Sequence, residues 1–470
     1  MHIIMKLNNY LFTLLVTLII TGFGCKTTKT TDSTVSGGWD KLPEILSKIV
    51  APQFPANEFI ISNFGAKEGG IFDCTEAINN AIIACNAAGG GKVVIPDGTY
   101  LTGRIYLKSN VNLHLRPKTV LKFKTNPDAY LPLVFTRFEG VECMNYSPFI
   151  YAYNEQNIAI TGQGLLDGQA DETHWWPWKG SKKSDTLNQN AGVKRLNEMG
   201  EKGIPVSERL FGEGFYLRPN FIQPYLCKNI LIDSIRIINS PMWEINPVLC
   251  ENITIQNINI NSHGPNNDGV DPESCKNVLI RNCLFDTGDD CIAIKSGRNN
   301  DGRRVNVPSE NIVIQNCVMK DGHGGVVIGS EISGSCRNVY AENCEMSSPN
   351  LDRALRIKTN SIRGGVVENI YMRNVKVGKV REAVVLVSFQ YQEGDAGKFT
   401  PVVRNIFVEN VTSESSEYGL FLDCYERSPV QNLQIRNCAF NGVEKGNFIN
   451  FADSLTFENF KVNGKLQLVK

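Results

Sequence analysis

Residues 285–297 read FDTGDDCIAIKSG and place two carboxylates, Asp289 and Asp290, side by side after Gly288. Adjacent acids repel and resist joint ionisation, so such a pair serves a reaction more readily than it serves a fold. Asp268 stands in NNDG (266–269), His323 in GHGG (322–325), and Arg356 with Lys358 in LRIK (355–358). Crowded carboxylates have their pKa values pushed apart, which supplies a proton donor and an ionised base together. Cleaving a sugar–sugar bond needs that combination: one acid protonates the leaving oxygen while a carboxylate activates water or attacks. Asp289 beside His323 suits the donor, Asp268 and Asp290 suit the water, and Arg356 with Lys358 suit a carboxylate on the substrate as charged hydrogen-bond donors. Taken singly, each motif has a plainer reading: a solvated turn or cation ligand for Asp-Asp, a turn for NNDG, a structural histidine, an exposed strand face for Arg-x-Lys. Joint placement has to decide.

A repeat provides that placement. NITIQNINI starts at Asn252, NVLIRNCLF at Asn277, NIVIQNCVM at Asn311, NVYAENCEM at Asn338, NIYMRNVKV at Asn369, NIFVENVTS at Asn405 and NLQIRNCAF at Asn432, with earlier relatives at Asn157 and Asn229. Most starts lie 23 to 36 residues apart, and apolar, often β-branched residues alternate within each phrase. One such strand cannot bury its own face, but parallel stacking about 4.8 Å apart builds a continuous core. The sequence therefore predicts an all-β chain, a right-handed parallel β-helix of about ten coils. A leucine-rich solenoid would need regularly spaced leucines and helical segments, and the sequence has neither.

GDDCIAIKSG and GHGGVVIGSE both begin eleven residues past their phrase starts, so Asp289 is expected to stack on His323. Asp268 falls on the coil before and Arg356 and Lys358 on the coil after. With Leu355 and Ile357 inward, Arg356 and Lys358 point out together. Asp289 and Asp290 can both face outward only where the backbone bends, and Gly288, Gly324 and Gly325 allow a bend. An acid–base separation in the range of about 6.5–9.5 Å is expected for an inverting reaction.

The sixth position of the phrase is asparagine in seven coils (Asn257, Asn282, Asn316, Asn343, Asn374, Asn410, Asn437), suited to a stacked left-handed turn. Cys283, Cys317, Cys344 and Cys438 follow it, and inter-strand spacing favours a ladder of buried thiols over disulfides. The stretch TEAINNAIIACNAA reads as an N-terminal capping helix, with Asp73 as cap and Ile78, Ala81, Ile82 and Cys85 as its apolar stripe. Residues 168–220 break the rhythm, and Trp175, Trp176 and Trp178 there are expected to wall off one end of a groove.

Lys+Arg and Asp+Glu both number 48, so there is no general electrostatic attraction for nucleic acid or an anionic surface. Lys6, the apolar run LFTLLVTLII and TGFGC read as a signal peptide ending in a lipobox, with Cys25 lipidated. The expected organisation is 1–25 signal peptide with lipobox, 26–50 tether and 51–470 a single β-helix catalytic domain. An exported, outer-membrane lipoprotein follows, periplasmic or cell-surface, monomeric and held to the membrane only by its lipid.

The four motifs, Asn266–Asp268, Gly288–Asp290, Gly322–Gly324 and Arg356–Lys358, resemble those of the polygalacturonases, glycoside hydrolase family 28, and the similarity runs from about residue 59 to the C-terminus. The resemblance implies inverting hydrolysis of α-1,4-galacturonide bonds in pectin, without metal or other cofactor. It makes Asp289 the general acid, Asp268 and Asp290 the water-orienting pair and His323 the support for the acid's proton. Asn266, Arg356, Lys358 and Tyr391 would bind galacturonate. Glycine before the acid pair departs from the glutamine of many fungal members. Exo action is expected; endo action, a rhamnogalacturonan-type hydrolase, a calcium-dependent lyase and a non-catalytic glycan-binding β-helix are the alternatives.

Overall fold

The computed structural model describes residues 38–180 and 188–469. The signal peptide, Cys25 and residues 26–37 of the tether lie outside the described residues. From Glu58–Ile60 to Ala452–Glu458, thirteen strands stack in parallel into one wall of a right-handed β-helix. The repeated phrase occupies this wall. Ile230, Ile253, Val278, Ile312, Val339, Ile370 and Ile406 stand in register as one buried row. A second wall is six-stranded: Ile292–Ile294, Val326–Ile328, Arg353–Lys358, Ala383–Ser388, Tyr418–Asp423 and Phe448–Asn450. Alternation sends Ile292, Val326, Leu355, Val385 and Leu420 into the shared core.

The sixth-position asparagines all have positive φ, and side-chain amides donate to the neighbouring coil's oxygen, as from Asn282 to Asn257, Asn316 to Asn282, Asn374 to Asn343 and Asn410 to Asn374. The first-position asparagines form a second ladder of the same kind, for example Asn311 to Asn277 and Asn405 to Asn369. Asparagine suits both corners because it tolerates left-handed backbone and meets its own copy at the next coil. All thirteen cysteines among the described residues are buried and unpaired. Besides the row after the asparagines, Cys227, Cys250 and Cys275 form another, with the Cys227 amide donating to Cys250 Sγ at 3.3 Å.

The capping helix spans Thr75–Ala87 and buries Ile78, Ala81, Ile82 and Cys85. Asp73 accepts from the Thr75 amide at 3.0 Å, one residue outside the N-cap position held by Cys74. The tether expectation fails for its last part. Trp39–Lys41 and Leu42–Ser47 are helical, and Leu42, Ile45 and Ile49 are buried against Leu279, Val313, Tyr340 and Tyr371 on the outside of the first wall. The apolar spacing of Leu42, Ile45 and Ile49 is amphipathic, and an outward aromatic row on the wall gives it a partner.

The excursion contains a helix, Asn190–Glu201, packed beside an antiparallel pair, Val134–Phe138 with Val141–Asn145. Buried ion pairs fasten these elements to the rod: Arg209 to Asp301 at 2.8 Å and Arg137 to Glu273 at 3.1 Å. The three tryptophans do not form the expected wall. Trp175 lies in the core, Trp176 Nε1 donates to the Ser240 carbonyl at 2.8 Å, and Trp178 packs on Trp175 and Tyr216. Their area secures the loop, and the next residue, Lys179, reaches the groove.

Candidate active site

Residues 288–291 form a bend between two strands, Leu284–Thr287 and Ile292–Ile294, so Asp289 and Asp290 escape the alternation that would separate them. Gly288 is required by space: a Cβ there would lie 2.4 Å from the Gly264 carbonyl oxygen of the preceding coil. Carboxylate oxygens of Asp268, Asp289 and Asp290 lie within 4.8 Å of one another. This is closer than the expected 6.5–9.5 Å, and the reason is the architecture. Asp268 sits one coil before Asp289 and Asp290, so strand spacing of about 4.8 Å brings it to the pair, while the bend brings the two neighbours together. One water at about 2.8 Å from each of two such oxygens can still bridge them.

His323 sits directly above Asp289. Its amide donates to the Asp289 carbonyl at 3.1 Å, and its Nδ1 lies 2.9 Å from Asp289 Oδ1. That hydrogen bond raises the imidazole above its ordinary value, so it stays protonated further toward alkaline pH. The Asp290 amide also donates to Asp289 Oδ1 at 3.0 Å, which leaves Oδ2 for the groove. Asp290 is fully buried, and burial opposes its ionisation. Lys358 at 2.7 Å and Arg356 at 3.5 Å overcome that and hold it well below the usual carboxyl range. Asp268 is pushed well above that range by burial and then by Asp271 and Asp289, with Lys295 opposing. Burial raises Asp271 to about 8.

Tyr391 lies under both cations, its ring 5.6 Å from the Arg356 guanidinium and 5.2 Å from Lys358 Nζ. Asn266 Oδ1 accepts from Arg218 at 2.8 Å, so the buried Arg218 of the excursion holds the N-x-D turn. All eight groove residues read from the sequence therefore meet in one place. Sequence reasoning missed several others. Lys295, five residues after Asp290 in FDTGDDCIAIKSG, is buried among Asp268, Asp271 and Glu331, at 3.5–3.6 Å from each, with its ammonium 4.5 Å over the Trp243 ring. Glu139, Lys179, Arg298 and Glu331 complete a polar cavity of about 160 Å³ that opens beside Asp268 and Asp289. Glu139 is at the tip of the antiparallel pair and is held by Arg298 at 3.2 Å. Lys295 was visible in the sequence as the first charged residue after the acid pair; Glu139 and Lys179 carried no repeat signal.

Acidic triplets also suit divalent cations such as calcium. Here Lys358 and Arg356 already compensate Asp290, Lys295 compensates Asp268, and His323 bonds Asp289. The donor set fits proton transfer better than it fits a metal.

The profile of glycosyl hydrolases family 28 matches residues 214–456. A probable polygalacturonase of Vitis vinifera is 27% identical over 406 residues, 83% of this chain and 75% of that protein. An exo-poly-alpha-D-galacturonosidase of Dickeya chrysanthemi is 25% identical over 439 residues, 85% of this chain and 71% of that protein. Among solved structures, a hyperthermoactive exopolygalacturonase from Thermotoga maritima superposes with a TM-score of 0.88 at 46% identity, covering 91% of this chain and 96% of its own. Fold, groove and sequence agree: this chain is a glycoside hydrolase and belongs to the glycosyl hydrolases family 28.

Proposed function

We infer that the protein is an exo-acting polygalacturonase, releasing galacturonic acid from the non-reducing end of pectic chains by inverting hydrolysis. The observation that carries exo action is the cavity of about 160 Å³ beside Asp268 and Asp289, lined by Glu139, Lys179 and Arg298 from outside the repeat. The similarity to the Thermotoga maritima exopolygalacturonase supports it. Endo action would need the groove open at both ends. Digestion of polygalacturonate tests the reading: monomer as the early product, with inverted anomeric form by proton NMR, is expected, and an early ladder of mixed oligomers would refute it.

In this reading Asp289 gives its Oδ2 proton to the departing glycosidic oxygen while the C–O bond breaks. Water held by Asp268 and Asp290 attacks the anomeric carbon from the other face. Asp290 takes the water's proton, because Lys358 and Arg356 keep it ionised, whereas burial keeps Asp268 protonated and a hydrogen-bond donor. Arg356, Lys358 and Tyr391 bind the sugar on the leaving side, and Asn266 binds the sugar that is released.

His323 sets the alkaline limit. Its raised pKa keeps a proton in the Asp289–His323 pair above the ordinary imidazole value, and that proton is lost as pH rises through the raised value. His323→Ala is expected to lower kcat about 100-fold and to move the alkaline limb of kcat/KM to lower pH. An unmoved limb in a pH–rate profile would remove His323 from this role.

Export as an outer-membrane lipoprotein anchored at Cys25 belongs to the same proposal, on the strength of the lipobox sequence. Cys25→Ala is expected to abolish labelling by a radioactive fatty acid and to release the enzyme from the membrane fraction; unchanged labelling would refute the anchor.

A further inference from the structure

The six-stranded wall that carries Arg356 and Lys358 continues past them toward the C-terminus. Arg356 pairs in register with Leu386, Leu386 with Phe421 and Phe421 with Phe448. In-register residues of parallel strands share a face, so these four side chains all point away from the buried Leu420 and Leu422; Arg356 and Leu386 are themselves covered, and the row reaches solvent at Phe421 and Phe448. Phe421 lies two strands from Arg356 and Phe448 three, roughly 10 and 14 Å away.

The rings form a platform. Phe421 and Phe448 stack with centroids 4.9 Å apart and planes 23° apart, and Tyr418 meets Phe421 edge-on at 5.1 Å. Phe448 is 41% exposed. Lys445 Nζ lies 5.6 Å over the Tyr418 ring. The neighbouring row on the same face is polar: Ser388, Asp423 and Asn450, with the Asn450 amide donating to Asp423 at 3.0 Å. Aromatic surface flanked by hydroxyl-binding groups suits a sugar; Lys445 is held by Glu417 beside it.

We propose that Phe421 and Phe448 form a stacking platform for the substrate chain beyond the cleaved bond, several sugars from the reacting centre. This rests on the exo reading. If Glu139, Lys179 and Arg298 close the cavity behind the first sugar, the remaining polymer has to leave past Arg356, Lys358 and Tyr391, and the aromatic row lies on that continuation. A galacto-configured ring has an axial 4-hydroxyl on one face and the C–H groups of C3, C4 and C5 together on the other. That apolar face can lie on the exposed Phe448 ring, and burying it removes apolar area from water.

Chain length is the discriminating variable. For Phe448→Ala and for Phe421→Ala/Phe448→Ala, kcat/KM on digalacturonate is expected to stay within twofold of wild type, because a dimer ends before the platform. On long oligogalacturonates and polygalacturonate it is expected to fall about tenfold, through KM, a size set by one or two lost aromatic contacts. Phe448→Trp should restore it. Equal rates on long and short chains in both variants, or an equal loss on the dimer, would overturn the platform. So would light scattering in which wild type associates and Phe448→Ala does not, since the rings would then join copies of the chain. The product pattern of the wild type is read separately: a mixed ladder would end the exo reading while the chain-length comparison still judged the platform.

Discussion

Asp289→Asn is expected to lower kcat on polygalacturonate by about 10³-fold, with thermal unfolding close to wild type. General acid catalysis contributes on the order of 10²–10⁴. The amide matches the carboxylate in size, can still accept from His323 and the Asp290 amide through its oxygen, and has no proton to give. Asp289 is only partly enclosed, its side chain 18% exposed, so the substitution strands no deeply buried charge. Binding should survive: calorimetry with trigalacturonate is expected to give an affinity within a few-fold of a substrate-level value. Turnover within tenfold of wild type would exclude Asp289 as the donor, whereas lost turnover with retained binding would exclude a purely glycan-binding role for the fold.

Lys358→Met should show the second large effect, in stability as well as rate. Asp290 is fully buried and is ionised only because Lys358 at 2.7 Å and Arg356 at 3.5 Å hold it so. Removing one partner from a buried pair costs on the order of 3–5 kcal/mol. The pH dependence identifies the cause. In wild type Asp290 is depressed below its unfolded value, so the pair's contribution is present above about pH 3.9 and is lost as pH falls through the lower folded value. Without Lys358 the carboxyl rises and can take up a proton as the solution is acidified. The destabilisation should therefore be largest near pH 7 and shrink toward pH 4 in thermal unfolding. The acid limb of kcat should move to higher pH for the same reason, because the base for the water is protonated sooner. A stability loss independent of pH would mean that Lys358 acts through packing alone.

The remaining buried charges have a mechanical use. Arg137, Arg209 and Arg218 come from the antiparallel pair and the long excursion, and each is fully buried against acids or carbonyls of the rod. Burial lowers Arg218 to about 10, still far above neutral, so it keeps its charge while holding Asn266. These contacts fix an insertion that has no repeat of its own, and with it the residues that narrow the groove.

Sequence alone determined the coil. A period-two phrase returning every few dozen residues can bury its apolar face only by stacking, and stacking brings equal offsets together, so Asp289 on His323 and Arg356 with Lys358 near Asp290 were legible before any coordinates. The asparagine and cysteine rows were legible for the same reason, since a repeated corner asks for the same residue each time. Tertiary structure decided what the repeat does not encode. The separation of the acids follows from strand spacing acting across a bend, so the expected wider gap gave way to oxygens within 4.8 Å. Residues 39–49 carry too short a pattern to reveal that they dock, because their partner is an aromatic row assembled from Tyr340, Tyr371 and Phe407 on separate coils. The cavity beside the acids was likewise hidden: its lining residues Glu139, Lys179 and Arg298 are about 40 and 120 residues apart along the chain and belong to no common motif. Local periodicity records which residues share a face, but where an irregular loop comes to rest depends on surfaces that exist only once the rod has been wound.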